Sequence, residues 1–421
     1  MKLTREAALV AYRAFSDVAG KGAFFLVTVL AARRLSRENF GIFSLGTTFG
    51  WMAAVATDFG IQMHLARAVA RRPDEAARLL RSWLRVRAWT SIIALAVVSA
   101  GLAVTGAGGS SALAILLFVL VYIVSGLIEF LHYFYRGLSR SDVESTLTLW
   151  QRFGTLGCAA IALAWRPEVT TLAAAMLLPV AVTLGYSLWR AARLAPERRL
   201  LPRSMAVRSE AVRSEMRRDV VPIGIGIVLS ALYFRIDVFL IEIWRGTGPV
   251  ALYNAVFRLV EALRLFPAAV LAVALPALCR TTSMRPLLLV SAAVTVFSVI
   301  VSLGCWLAAD GLVALVYGSQ YADAVPAFRI LLASFPLMSL NYALTHQLIG
   351  WNGHRAYAGV CAAALVFNVA LNARLIPALS IAGAAWSTLS TEALLTVGCV
   401  AALWAGSARH HTGPLIATVV P

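Results

Sequence analysis

Charged side chains recur at helical spacing inside apolar segments of this 421-residue chain. Arg13, Asp17 and Lys21 stand four residues apart near its start. Residues four apart share one face of an α-helix, so this set places two cations around one carboxylate along roughly 12 Å of helix. Such a face can bind an anion through its cations, while the acid orients them.

A set of the same composition lies in the second half of the chain. Arg258, Glu261 and Arg264 stand three apart, which again places them on one helix face. Glu129, His132 and Arg136 form a third, shallower set near the predicted cytoplasmic end of the fourth span. Each set offers side chains that could bind an anionic group or orient the bases that bind it.

The segment "YFRIDVFLIEIW" (233–244) carries Arg235 and Asp237 inside an apolar run. These two residues are two apart, so they point to different helix faces and cannot neutralise each other within the helix. The predicted substrate-binding cations are therefore Lys21, Arg235, Arg258, Arg264 and Arg13, and the predicted orienting or coupling groups are Asp17, Asp237, Glu261, Glu129 and His132.

The depth of four of these bases in apolar segments is costly. At about 3 kcal/mol each, Lys21, Arg235, Arg258 and Arg264 would cost on the order of 12 kcal/mol if they faced lipid, comparable with the whole stability of a domain. They are expected to face an internal hydrated surface. Ion pairs that only hold helices together are the structural alternative, but the surplus of deep cations over anions favours a site for an anionic ligand.

The composition is that of an integral membrane protein. Hydrophobic residues make up 60% of the chain and charged residues 14%, with a mean hydropathy of +0.79, whereas soluble domains are about a quarter charged. About twelve apolar stretches are long enough to cross a hydrocarbon layer about 30 Å thick. They lie near residues 9–32, 40–66, 88–106, 112–135, 146–165, 170–192, 220–244, 250–277, 287–309, 326–349, 355–376 and 381–405.

The distribution of basic residues predicts the orientation in the membrane. The formal charge of +17 would favour a nucleic-acid partner in a soluble protein. Alternate loops, however, hold 25 Lys and Arg in one set and 7 in the other. The positive-inside rule therefore places both termini in the cytoplasm and explains the charge without nucleic acid.

The predicted spans divide into an N-terminal six-helix lobe (1–194), a basic cytoplasmic linker (195–218), a C-terminal six-helix lobe (219–406) and a cytoplasmic tail (407–421). An even number of spans per half makes the halves parallel repeats about an axis along the membrane normal. We expect an all-α polytopic fold with a cavity between the lobes.

No cofactor, metal site or catalytic residue is predicted. The sequence has no P-loop, HExxH or CxxC motif. Its five cysteines fall in or beside spans without paired spacing, which is typical of small packing residues.

Several segments, in their order along the chain, resemble the oligosaccharide-lipid flippases of bacterial polysaccharide export, the O-antigen type. The superfamily of these proteins also contains multidrug and toxin extruders and lipid II flippases. The segments are "LSRENFGIFSLGTTFGWMAAVATDFG" (35–60), "YFRIDVFLI" (233–241), "GPVALYNAVFRLVEAL" (248–263), "VYGSQYADAVPAFRIL" (316–331) and "IPALSIAGAAWSTLST" (376–391).

The resemblance implies two six-helix lobes around a central cationic cavity that alternates between cytoplasmic and outer access. It implies an undecaprenyl-pyrophosphate-linked oligosaccharide as substrate, flipped outward for polysaccharide biosynthesis in the bacterial inner membrane without bond chemistry. Membrane lipids and polysaccharide polymerase machinery are the implied partners. Lys21, Arg235 and Arg258 match positions where such flippases carry cavity bases, although charged positions vary widely in that family.

Two other functions stay open at this point. A polysaccharide polymerase or ligase needs sizeable external loops, whereas the longest predicted one is about 16 residues, "DGLVALVYGSQYADAV" (310–325). A cation-coupled multidrug exporter would need a neutral or acidic cavity, because surplus arginine repels cationic substrates.

Overall fold

The computed structural model describes residues 2–104, 108–194, 221–271, 284–351 and 353–412. Within these ranges the chain forms 14 α-helices and no β-strand. The first half contributes α1 (Lys2–Arg34), α2 (Arg37–Asp58), α3 (Ile61–Arg71), α4 (Ala76–Val104), α5 (Gly109–Gly137), α6 (Ser141–Trp165) and α7 (Val169–Leu194).

The second half contributes α8 (Val221–Arg245), α9 (Thr247–Leu263), α10 (Met284–Leu307), α11 (Ala309–Tyr317), α12 (Val325–Gly350), α13 (His354–Leu379) and α14 (Ile381–Thr412). A further helical segment, 265–271, follows α9 after a turn at Arg264. Short 3₁₀ helices span Pro73–Glu75 and Ser319–Ala324. The predicted linker 195–218 lies outside the described residues, and α14 runs past the predicted lobe end at 406.

Ten of the described helices are long and apolar enough to cross a membrane, which confirms a multi-pass membrane protein. They are α1, α2, α4, α5, α7, α8, α10, α12, α13 and α14. Helices α6 and α9 pack among them and bring the number to the predicted twelve. The polar side chains of α6 lower its hydropathy, and several of them line cavities described below.

A predicted span is interrupted between α2 and α3. The stretch 40–66 was expected to be continuous, but Phe59 and Gly60 both adopt left-handed backbone conformations, with φ of 45° and 84°. Asp58 accepts hydrogen bonds from the backbone N–H groups of Gly60 and Gln62, each at 3.2 Å. These bonds satisfy donors that the start of α3 would otherwise leave unpaired, so the chain turns here and α3 begins as a separate helix.

The two lobes share one apolar core at one end of the molecule and have separate cores at the other. The shared core combines the end of α1 and the start of α2 with α9, α11 and the start of α12. Phe40 of α2 packs edge-on against Tyr321 of the second lobe, with ring centroids 5.8 Å apart. At the opposite end, one core contains residues of the first half and another contains residues of the second half. Among the described residues, the apolar cores of the two lobes are therefore continuous at one end and separate at the other.

Hydrogen bonds across the sealed end form what we call the interlobe clasp: Arg33 and Arg37 with residues 315–323. The Arg33 Nε donates to the Val316 carbonyl at 2.8 Å, and its guanidinium also donates to the Leu315 carbonyl. Arg37 donates to the Gln320 carbonyl at 2.5 Å and lies 3.4 Å from an Asp323 carboxylate oxygen. These carbonyls lie at and beyond the end of α11, where the helix leaves acceptors unpaired.

We predict that the clasp holds this end closed. In a cysteine-free background, Ala251→Cys places a thiol at a fully buried position of α9 within the shared core. Replacing both Arg33 and Arg37 by Gln is expected to raise the rate of maleimide labelling of detergent-purified protein about tenfold, since charged hydrogen bonds worth about 1.5 kcal/mol or more are lost. Arg34→Gln, an exposed neighbour, is the matched control. An unchanged labelling rate in the double variant would contradict a sealing role.

Candidate functional site

A cavity of about 760 Å³ lies between the lobes and is lined by both halves of the chain. Helices α1, α2, α5 and α6 supply one wall, and α8, α9, α12, α13 and α14 supply the other, together with the segment 265–271. We call it the central cavity. Its charged lining residues are the bases Lys21, Arg152, Arg258 and Arg264 and the acids Glu261 and Glu392. The described lining thus holds more cations than carboxylates.

Glu261 lies between two guanidinium groups. Its carboxylate is 2.6 Å from Arg258 Nη1 and 3.2 Å from Arg235 Nη2. The three-residue spacing of Arg258 and Glu261 on α9 allows the first contact, and the packing of α8 on α9 allows the second. Because two cations share one carboxylate, the cluster keeps a net positive charge.

Arg258 also connects the lobes. Its guanidinium lies 5.6 Å from the centroid of the Phe24 ring on α1, in the opposite lobe. A cation over an aromatic face is attracted by the ring's negative potential. The base is therefore held at the cavity wall by Glu261 on its own helix and by Phe24 across the cavity.

Arg235 does not line the central cavity, which corrects the expectation drawn from the sequence. Its side chain is 3% exposed and lies behind Glu261. One nitrogen donates to Asn254 Oδ1 at 3.1 Å, and the guanidinium lies 4.6 Å from the Phe257 ring centroid. The rotation of α8 about its axis turns Arg235 toward α9, so it contacts the cluster from behind.

Lys21, Arg152 and Arg264 form no ion pair with any carboxylate of the described residues. Arg264 follows the last residue of α9, and its guanidinium lies 4.9 Å from the Phe234 ring centroid. Lys21 is exposed on α1. These three bases hold the charge that is free to attract an anion.

Sequence reasoning missed Arg152. It lies close to the start of the predicted stretch 146–165, where a base could reach the headgroups. Helix α6 begins earlier, at Ser141, so Arg152 lies near the middle of the helix. The aliphatic part of the Arg152 side chain packs against Gly20 of α1. A Cβ at position 20 would lie only 3.1 Å from Arg152 Cγ, so the glycine leaves the space that Arg152 occupies. An arginine so far from either helix end is the signal that could have identified it.

Sequence reasoning also missed Glu392. Its carboxylate accepts a hydrogen bond from Asn341 Nδ2 at 2.7 Å and another from the Tyr233 hydroxyl. Glu392 is 5% exposed and has no ion-pair partner among the described residues. It is a carboxyl group held by neutral donors in the wall of the second lobe.

A second cavity of about 440 Å³ is lined by the first lobe and by Ile227 of α8, and we call it the N-terminal pocket. The predicted orienting residues Asp17, Glu129 and His132 line it. Seven residues border both cavities and connect them: Lys21, Phe24, Trp51, Val55, Tyr122, Arg152 and Ile227. The candidate charges therefore belong to two adjoining spaces.

Besides Arg235, two predicted site residues line neither cavity. The Arg13 Nε lies 3.8 Å from Glu144, with 38% of the side chain exposed. Asp237 is buried, accepts a hydrogen bond from the Tyr253 hydroxyl, and accepts another from the backbone N–H of Val238 at 2.9 Å. The expectation that Arg13 lines the cavity is corrected, because helical spacing placed it on a face but not at a depth. The orienting role predicted for Asp237 stays a prediction. No group of three or more His, Cys, Asp or Glu side chains suited to a metal occurs in the described ranges.

The family model for "polysaccharide biosynthesis protein" matches residues 8–282, which is more than half of the chain. No match was found among curated proteins. Solved transporters share the fold. A multidrug resistance MATE family transporter of the MOP superfamily, in its inward-facing conformation, aligns at a TM-score of 0.74 and 15% identity, covering 94% of this chain and 96% of that chain.

Two further structures show the same fold. A MOP superfamily transporter from Pyrococcus furiosus, described as having a binding pocket of reverse polarity, aligns at a TM-score of 0.64 and 16% identity, covering 95% of each chain. The lipid II flippase MurJ, in an inward closed conformation, aligns at 0.57 and 10% identity, covering 94% of this chain and 90% of that chain.

The environments of Arg235 and Arg264 predict effects of different size on stability. Arg235→Met leaves Glu261 with one partner and removes the donor to Asn254, so we expect a loss of about 3 kcal/mol. Arg264→Gln removes no ion pair and should change stability by less than about 0.5 kcal/mol. Thermal unfolding midpoints of the purified variants measure both. Equal midpoints for the two variants would argue against the shared-carboxylate cluster as a stabilising element.

Proposed function

The chain belongs to the polysaccharide biosynthesis protein family, and on that premise we propose that it is a flippase for an undecaprenyl-diphosphate-linked oligosaccharide. In this proposal the substrate moves from the cytoplasmic to the outer leaflet of the bacterial inner membrane, and both termini are cytoplasmic. The protein binds and reorients the lipid and makes or breaks no covalent bond in it.

The surplus of cations in the central cavity carries the proposal. Lys21, Arg152 and Arg264 have no carboxylate partner in the described part of the chain, and Arg258 shares its partner with Arg235. Guanidinium groups bind phosphate oxygens through charge-assisted hydrogen bonds that are often bidentate. A diphosphate offers two such groups side by side, which suits several bases spread over both walls of one cavity.

The fold supports alternating access around this site. The lobes share a core at the end that carries the interlobe clasp, while their cores are separate at the other end. Opening the clasped end and closing the other would present the same bases to the opposite side of the membrane. If the headgroup carries about two negative charges outward, an inside-negative potential favours the step by roughly 5 kcal/mol per 100 mV.

The multidrug exporter alternative rests on the fold that this chain shares with MATE transporters. A cavity with unpaired arginines repels cationic drugs, so its charge favours an anionic substrate. The polymerase alternative requires an accessible external loop. The segment 310–325 instead forms α11 and a 3₁₀ helix that take part in the interlobe clasp.

The proposal is tested by flipping in proteoliposomes. Purified protein is reconstituted with an undecaprenyl-diphosphate-linked oligosaccharide, and the fraction of glycan accessible from outside the vesicles is followed in time. Replacing both Arg152 and Arg258 by Gln should slow flipping at least about 100-fold, because two charged hydrogen bonds to phosphate, each worth about 1.5–3 kcal/mol, are lost.

Arg166→Gln is the matched control, because Arg166 is 65% exposed, pairs with Glu168 and lies outside both cavities. Wild-type rates in the double variant would refute the cationic site. New glycosidic bonds in the same assay would identify a polymerase, and protection of cells against cationic dyes would identify a drug exporter.

A further inference from the structure

Arg87, on α4, is a buried arginine that the diphosphate site does not use. Its side chain is 1% exposed and borders the N-terminal pocket. The Nη2 atom donates to the Ala54 carbonyl of α2 at 3.1 Å. Its Nε and Nη1 atoms are buried and have no hydrogen-bond partner. An unmet donor on a charged group costs more than about 1–3 kcal/mol, so a ligand that accepts from these atoms would bind favourably.

The surrounding helices leave space for this guanidinium. Gly126 of α5 faces it, and a Cβ at that position would lie 2.8 Å from Arg87 Nη2. The contact with Ala54 joins α4 to α2 through one of the three guanidinium nitrogens. A role limited to helix packing therefore leaves the two unpartnered nitrogens unexplained.

The charged residues that line the N-terminal pocket include as many acids as bases. Arg136 and Glu144 pair with each other at 2.9 Å, and Asp58 caps α3. The buried Nε2 of His132 is a further polar atom without a partner. The charged lining residues are the bases Lys21, Arg87, Arg136 and Arg152 and the acids Asp17, Asp58, Glu129 and Glu144.

Equal numbers of bases and acids in the N-terminal pocket favour a ligand without net charge. The central cavity has more bases than acids and favours an anion. Hydroxyl groups both donate and accept hydrogen bonds, so a ligand rich in them can satisfy Arg87 and Glu129 at once. A second phosphate group would meet as many carboxylates as bases and gain little. Sugars carry many hydroxyl groups and no net charge, so they match the lining of this pocket.

The position of the pocket agrees with the covalent order of a lipid-linked sugar. Lys21 and Arg152 border both the pocket and the central cavity. The aromatic rings of Trp51 and Tyr122 stand at the same junction and can cover the apolar face of a sugar. A volume of about 440 Å³ lies within the range of small-molecule sites. A diphosphate held by the shared bases would direct its first sugars into the pocket.

We propose that the N-terminal pocket is a carbohydrate subsite, with Arg87 donating to and Glu129 accepting from sugar hydroxyls of the lipid-linked substrate. This inference rests on the proposed function, and it assigns the glycan and the diphosphate to different walls of one continuous chamber. Arg87 and Glu129 then set the preference for glycan-bearing over glycan-free lipid.

Binding of two probes tests this division. The probes are the lipid-linked oligosaccharide extracted from the organism that supplies the gene, and undecaprenyl diphosphate without sugar. Wild-type protein should bind the first more tightly. Arg87→Gln and Glu129→Gln should each reduce that preference about tenfold, the effect of one hydrogen bond to a charged group, and leave the affinity for undecaprenyl diphosphate unchanged. Arg85→Gln, exposed on the same helix, is the control.

The possible outcomes separate the two proposals. Failure of wild-type protein to bind either lipid would overturn the proposed function and this inference with it. Normal binding of both lipids by Glu129→Gln and by a folded Arg87→Gln would overturn the carbohydrate subsite alone. If Arg87→Gln does not fold, Glu129→Gln decides, because its carboxylate is exposed and forms no ion pair with the described residues. Equal loss for both probes would also count against a subsite for the sugar.

Discussion

One carboxylate shared by two guanidinium groups sets the charge of the α8–α9 wall of the central cavity. Glu261 compensates part of the charge of Arg258 and Arg235, so neither base stands alone in a region of low dielectric constant. Full neutralisation would need a second acid, and the described residues of this wall supply none within ion-pair distance. The cluster is therefore stable enough to be buried between helices and positive enough to attract an anion. Both properties follow from the ratio of bases to acids.

The same cluster links the binding site to the movement proposed for the lobes. Arg258 contacts the Phe24 ring of the opposite lobe, while its carboxylate partner is fixed by Arg235 from α8. A diphosphate that binds Arg258 would compete with that ring contact, which joins the lobes. The interlobe clasp, by contrast, consists largely of arginine bonds to backbone carbonyls near the protein surface, where water can replace them. Anion binding and clasp opening can therefore be coupled through the relative position of the two lobes.

Sequence patterns predicted the elements and one cluster of the site, and physical reasons explain what they missed. Hydropathy indicated the spans because the solvent is hydrocarbon, and three-residue spacing placed Arg258 beside Glu261 because both lie on α9. Arg87, Arg152 and Glu392 have no oppositely charged residue three or four positions away on their own helices, so no local spacing marks them. Their neighbours in space lie on other helices, and only tertiary packing fixes those contacts. Tertiary packing also explains why Arg235 is buried, because the sequence of α8 alone does not determine how the helix is rotated about its axis.

Helix α1 shows how one regular pattern can enter three different environments. Arg13, Asp17 and Lys21 share a face, as their four-residue spacing requires. The first lies near Glu144 outside both cavities, the second lines the N-terminal pocket, and the third borders both cavities. Periodicity fixes the direction of a side chain around the helix axis, whereas each four-residue step moves it about 6 Å along that axis. Over such distances the neighbouring helices change, so depth along a helix decides which charges can meet a ligand and which only pair with the protein.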